Sequence, residues 1–177
     1  MKFMMKNPGV RYGLLGGVTV VFYFALLYFI KKELFLNVWL YWGSMAIYLL
    51  FMWRAASEDC AANGVKRDFR EILRTPFMTF LLVNLLFWLF WYTLHLADPQ
   101  LLQMETAMKM EYLQKLIAAG PGDPQQANQL REQIQLLEKE GMALTMGVVF
   151  LQMGIGALGG AALSAGIAAL LRSGFRF

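Results

Sequence analysis

The stretch from Pro76 to Ala97, PFMTFLLVNLLFWLFWYTLHLA, contains no Asp, Glu, Lys or Arg. A helix rises about 1.5 Å per residue, so a hydrocarbon core about 30 Å thick takes roughly 20 apolar residues. Pro76 suits a first helical turn, where its missing N–H is no loss. Asp98-Pro99 ends the stretch on the other side. Helices of soluble cores seldom need such length, and the spacing predicts a membrane span over 76–97.

Working outward, three further charge-free intervals of similar length appear: Arg11 to Lys31, Glu33 to Arg54, and Glu140 to Arg172. They predict spans over 12–30, 34–53 and 143–171, the last long enough to tilt or to stand above the bilayer. Hydrophobic residues make up 58% of the chain and charged residues 16%, well below the quarter usual in soluble domains. The expected fold is all-α: a polytopic membrane protein, residues 1–177 forming a single membrane domain with four transmembrane helices. Lys2, Lys6 and Arg11 precede the first span, which ends in Lys31-Lys32-Glu33 without a small-residue cleavage site, as in a retained signal anchor. The one cysteine, Cys60, implies no intrachain disulfide.

Cationic residues fix the expected orientation. The N-terminus, the loop between spans two and three, and the C-terminus hold ten Lys and Arg, against six in the other two loops. The third loop has seven acids to four bases. By the positive-inside rule both termini lie in the cytoplasm, and the excess of +4 reflects orientation rather than nucleic-acid binding. Trp39, Tyr41 and Trp42 at one end of the second span and Trp53 at the other suit headgroup belts.

Two polar connections remain. In the cytoplasmic segment 57–75, Val65, Phe69, Ile72 and Leu73 share a helical face opposite basic residues, an amphipathic pattern that either lies in the interface or supports the third span. The periplasmic segment 98–140 reads as a helical hairpin turning at Gly120-Pro121-Gly122-Asp123-Pro124. In its second arm Ala127, Leu130, Ile134, Leu137 and Gly141 form a heptad seam; the first arm offers Leu101, Met104 and Met108, then Thr106, Met110, Leu113 and Ile117. Such seams serve self-packing or a partner.

Small residues give the sharpest local pattern. Gly9, Gly13 and Gly17 recur every four residues, as do Gly156, Gly160 and Ser164. Each set stacks on one helix face and lets another backbone approach closely. The contact is either packing within the chain or an interface with a second copy or another membrane protein. Within the spans, Asn84 is polar, and His95, the one histidine, lies a turn from Asp98. These three form a candidate polar site, against which stands a plain anchoring role at a helix end. No phosphate loop, catalytic triad or metal-ligand set appears, so no enzyme, cofactor or metal is expected. The expected partners are membrane lipids and a second copy or another membrane protein.

Met5-Lys6-Asn7-Pro8 with Tyr12-Gly13, Asp68-Phe69-Arg70-Glu71 leading into Thr75-Pro76-Phe77, the aromatic third helix ending at Asp98-Pro99, and the small-residue-rich last helix together resemble a known family. It is the bacterial, Bacteroidetes-type four-helix membrane family catalogued as domain of unknown function 4199. The resemblance covers nearly the whole chain. It implies an inner-membrane location and no catalytic residue. The function expected is that of a structural or accessory inner-membrane protein associating through its small-residue faces. The alternative is a small transporter or lipid-handling protein with a cleft around Asn84, Ser44 and His95.

Overall fold

Asn7-Pro8 starts the first helix. The Asn7 side chain accepts the Gly9 N–H at 2.9 Å, and Pro8 takes the first turn. A computed structural model describes residues 7–64, 68–120, 124–140 and 145–173, which form helices without strands. In chain order they are α1 (Pro8–Ile30), α2 (Lys32–Phe35), α3 (Val38–Gly43), α4 (Met45–Asn63), α5 (Phe69–Ala97), α6 (Pro99–Ala118), α7 (Pro124–Glu140) and α8 (Met146–Arg172). Among the described residues three helices, α1, α5 and α8, are long and apolar enough to cross a membrane.

The interval expected to form the span 34–53 is divided among α2, α3 and α4. The Asn37 side chain accepts the N–H groups of Trp39 and Leu40 at 2.9 and 3.3 Å, capping α3 and breaking the chain after α2. At Ser44 the backbone N–H is shared between the carbonyls of Leu40 and Tyr41, and the hydroxyl donates to Tyr41 at 2.7 Å. This tightening ends α3 one residue before α4 begins. α4 runs on past Arg54 through Glu58 and Asp59 to Gly64, whose φ of 83° suits a glycine cap.

The described residues of the segment 57–75 belong to two helices. Ser57–Asn63 finishes α4, while Phe69–Thr75 opens α5, which continues through Pro76. Val65 lies outside the described residues. Ile72 is buried, while Phe69 and Leu73 of the same face are half-buried.

The chain divides into two compact units, one reaching to Trp91 and resuming at Val149, the other Tyr92–Val148. In the first, α1 packs antiparallel to α3 and α4. Arg11 and Tyr12 near its start both bond Glu58, and the Tyr23 hydroxyl donates to the Leu40 carbonyl at 3.2 Å. Phe24 is the hub of an aromatic cluster, with ring centroids 5.7 Å from Phe35, 6.2 Å from Tyr41 and 4.9 Å from Phe87. In the second unit α6 and α7 pack together. Ala127, Leu130, Ile134 and Leu137 are the half-buried positions of α7, as the heptad spacing requires; Gly141 lies outside the described residues. On α6 Leu101 and Leu113 are buried and Thr106, Met110 and Ile117 half-buried, but Met108 is 43% exposed and leaves the expected stripe.

Candidate functional site

Glycine spacing determines how closely helices approach α5. A Cβ added to Gly13 would stand 2.8 Å from the Leu82 Cβ, and one on Gly17 would stand 3.0 Å from that of Leu86. At Gly9 the nearest atom would be the Thr75 carbonyl oxygen, at 3.0 Å. The Thr79 hydroxyl donates to the Gly9 or Thr75 carbonyl, at 3.2 and 3.0 Å. The Gly9, Gly13, Gly17 face is therefore occupied within the chain by α5.

The α8 stripe has the same fate. An added Cβ on Gly160 would come within 2.2 Å of the Phe80 ring, and one on Gly156 within 3.2 Å of the Asn84 amide. Ser164 is fully buried, its hydroxyl donating to the Gly160 carbonyl at 2.7 Å. Gly9, Gly13, Gly17, Gly156 and Gly160 thus stand against atoms of α5 in the same chain, and Ser164 is buried beside them.

Other parts of the α8 surface are open. Hypothetical Cβ atoms on Gly154, Gly159 and Gly166 meet nothing within 4 Å. Gly159 forms the open lip of a half-open groove of about 610 Å³. Trp42, Ser44, Met45 and Tyr48 form one wall; Phe80, Asn84, Phe87 and Trp88 of α5 line its floor; Gln152, Ile155, Gly156, Gly159 and Ala162 form the other wall. Three ring and amide contacts set its layers. Tyr48 meets Phe80 at 5.4 Å between centroids, Tyr41 meets Phe87 at 5.8 Å, and the Asn84 amide donates to the Met153 carbonyl at 3.3 Å. Apolar surface dominates the lining.

Asn84 and Ser44 both line this groove, and each donates a hydrogen bond to a backbone carbonyl. His95 is not among its lining residues. In the other unit, His95 is buried with its Nε2 2.8 Å from the Glu105 carboxylate. Asp98 caps α6 by accepting the Gln100 N–H at 3.2 Å. The sequence reading missed Glu105, although Asp98-Pro99 is a helix-start signal that already commits Asp98.

It also missed the polar cluster at the end of α4. Asp59 is buried and accepts from the Thr75 hydroxyl at 3.0 Å and the Asn63 amide at 2.9 Å. Glu58 receives the Arg11 guanidinium and the Tyr12 hydroxyl. These bonds tie α4 to α1 and α5. Among the described residues no group of three His, Cys, Asp or Glu side chains is arranged to hold a metal ion.

Long apolar helices stacked on α5 through glycines, with an apolar groove over α5 between α8 and the α3–α4 wall, mark a helical membrane protein. The chain belongs to the family described as Protein of unknown function (DUF4199), whose model matches residues 11–173. No curated protein and no solved structure matches it.

Proposed function

We propose that this chain is a non-catalytic accessory protein of a bacterial inner membrane, acting by holding a component of the bilayer sideways in its groove. The observation that carries the proposal is the open lip at Gly159 beside two glycine faces already used inside the bundle. α3 and the first half of α4 form the fourth crossing, both termini lie in the cytoplasm, and α6 and α7 form a periplasmic hairpin. The bonds of α1 to Glu58 and to the Leu40 carbonyl support that fourth crossing, because they line α3 and α4 up along most of α1.

A photoreactive residue at Ala162, on the lip, is expected to capture a discrete adduct in native membranes. One at Phe22, which is 62% exposed on α1, should yield only diffuse lipid labelling. Equal patterns at the two positions would overturn the proposal. For orientation, Cys60→Ser variants with a cysteine at Gly120 or Ser173 are treated with an impermeant maleimide. Intact cells should be labelled at residue 120 alone, and the reverse result would invert the topology.

A second reading, association with another copy or a different membrane protein, is favoured by the exposed small residues Gly166 and Ala169 beyond the groove. Loss of the Ala162 adduct together with a change of assembly size in Gly166→Leu would support it.

A further inference from the structure

We propose that the groove binds one hydrocarbon chain of a membrane amphiphile, its polar end toward Trp42, Trp88 and Gln152; this rests on the lateral-binding reading above and names the occupant. Three observations lead there.

Size comes first. The α8 wall runs from Gln152 to Leu163, eleven helical steps or about 16 Å along the axis. That is close to one leaflet of a hydrocarbon core about 30 Å thick. A helix seated over the same length, about 10 Å across, would displace roughly 1,200 Å³. The groove offers about 610 Å³. A single linear chain can be taken up within it, whereas a helix of that length would stand about half outside.

Polarity is second. The lining is mostly apolar, with Phe80, Phe87 and Met45 among it, and the polar groups Asn84 and Ser44 each donate one hydrogen bond to a backbone carbonyl rather than into the groove. Aromatic rings and glycine backbone offer a chain continuous dispersion contact.

The third observation is asymmetry along the groove. Tyr48, Phe80 and Leu163 form one end, and Trp42, Trp88 and Gln152 the other, ordered by the Tyr48–Phe80 and Asn84–Met153 contacts. Indole N–H groups are donors only and the glutamine amide also donates. Ester carbonyls at the neck of a phospholipid are acceptors, and Trp favours that depth of a bilayer.

The test uses the full chain in vesicles of phosphatidylethanolamine and phosphatidylglycerol containing a phospholipid brominated on one acyl chain. Trp39, Trp53 and Trp91 are replaced by Phe, leaving Trp42 and Trp88 as reporters. Gly159→Phe fills the groove from its open side, and Gly154→Phe, equally unobstructed but off the lining, is the control. Half-maximal quenching in the parent and in Gly154→Phe is expected at about one-tenth of the brominated mole fraction that Gly159→Phe requires, a tenfold preference over bulk lipid. Quenching that follows bulk mole fraction alike in all three would overturn the inference. If Gly159→Phe also leaves the Ala162 adduct unchanged, the lateral-binding reading falls with it. If Gly159→Phe removes a protein adduct at Ala162 without altering quenching, the lateral site stands and its occupant is protein. Unchanged protection of the buried Cys60 thiol verifies that the variants fold.

Discussion

Gly159 and Gly160 are neighbours of identical chemistry, and the structure gives them opposite responses to one methyl group. At Gly160 a Cβ would lie 2.2, 2.4 and 2.6 Å from three carbons of the Phe80 ring, which is buried and packed against Tyr48. The ring cannot yield without disturbing its neighbour. Overpacking of this kind costs about 1–3 kcal/mol, against which alanine's better helix propensity returns about 0.5–1 kcal/mol. At Gly159 nothing lies within 4 Å, so only the propensity gain acts. Gly160→Ala should therefore destabilise the protein and Gly159→Ala stabilise it, with the two differing by about 2 kcal/mol, roughly thirtyfold in an opening equilibrium. Cys60, buried on α4 and the chain's one thiol, is the reporter. Its maleimide labelling rate in detergent micelles, under conditions where reclosing outpaces reaction, follows that equilibrium. Adding Phe80→Leu should relieve most of the Gly160→Ala penalty, a coupling that a double-mutant cycle measures. Equal labelling rates for Gly159→Ala and Gly160→Ala would refute the placement of α8 on Phe80.

Further outcomes follow from other contacts. Glu105→Ala removes the partner of the buried His95 Nε2 and should cost about 1–3 kcal/mol, whereas Glu105→Gln keeps a hydrogen-bonding group there; hydrogen exchange along α6 separates the two. Leu113→Ser should loosen α6 and raise protease sensitivity near residue 120, while Met108→Ser, on the exposed face, should change it little. The Arg11–Glu58 pair is about two-fifths exposed at each side chain, so Glu58→Gln should barely move the unfolding midpoint, and high salt should not magnify the effect. Gly64→Ala, at a φ of 83°, should destabilise the end of α4 by about 1 kcal/mol, read in Cys60 labelling.

The membrane spans were legible because charge spacing reports the solvent a segment tolerates. The helices α1, α5 and α8 are long and apolar enough to cross a membrane, with ends shifted by Asn7-Pro8 and by the helix running through Pro76. Helix continuity is another matter. An apolar run such as 34–53 says nothing about where the backbone bends, and the breaks came from single polar side chains at Asn37 and Ser44. The glycine faces were visible, but a missing side chain looks the same whether the approaching backbone is internal or foreign. The α5 side chains that meet them, Leu82 and Leu86 on one face and Phe80 and Asn84 on the other, decide it. The groove was out of reach, because it is the space that α3, α4 and α8 leave uncovered on α5. Its floor residues Phe80 and Phe87 look like ordinary span aromatics in sequence. Glu58 and Asp59 had a signal that went unused: two acids on a helix just beyond a span must find partners or water.

The central position of α5 also bears on how the chain is made. Phe80 and Asn84 are synthesised about 80 and 70 residues before Gly160 and Met153, the groups that cover them. At about 5–20 residues per second that leaves Phe80 without its lid for roughly 4–16 s. During this interval the nascent bundle carries a carboxamide turned toward hydrocarbon, with no carbonyl from the last helix to receive it. Packing around Phe80 and Asn84 is therefore completed only once α8 has been made.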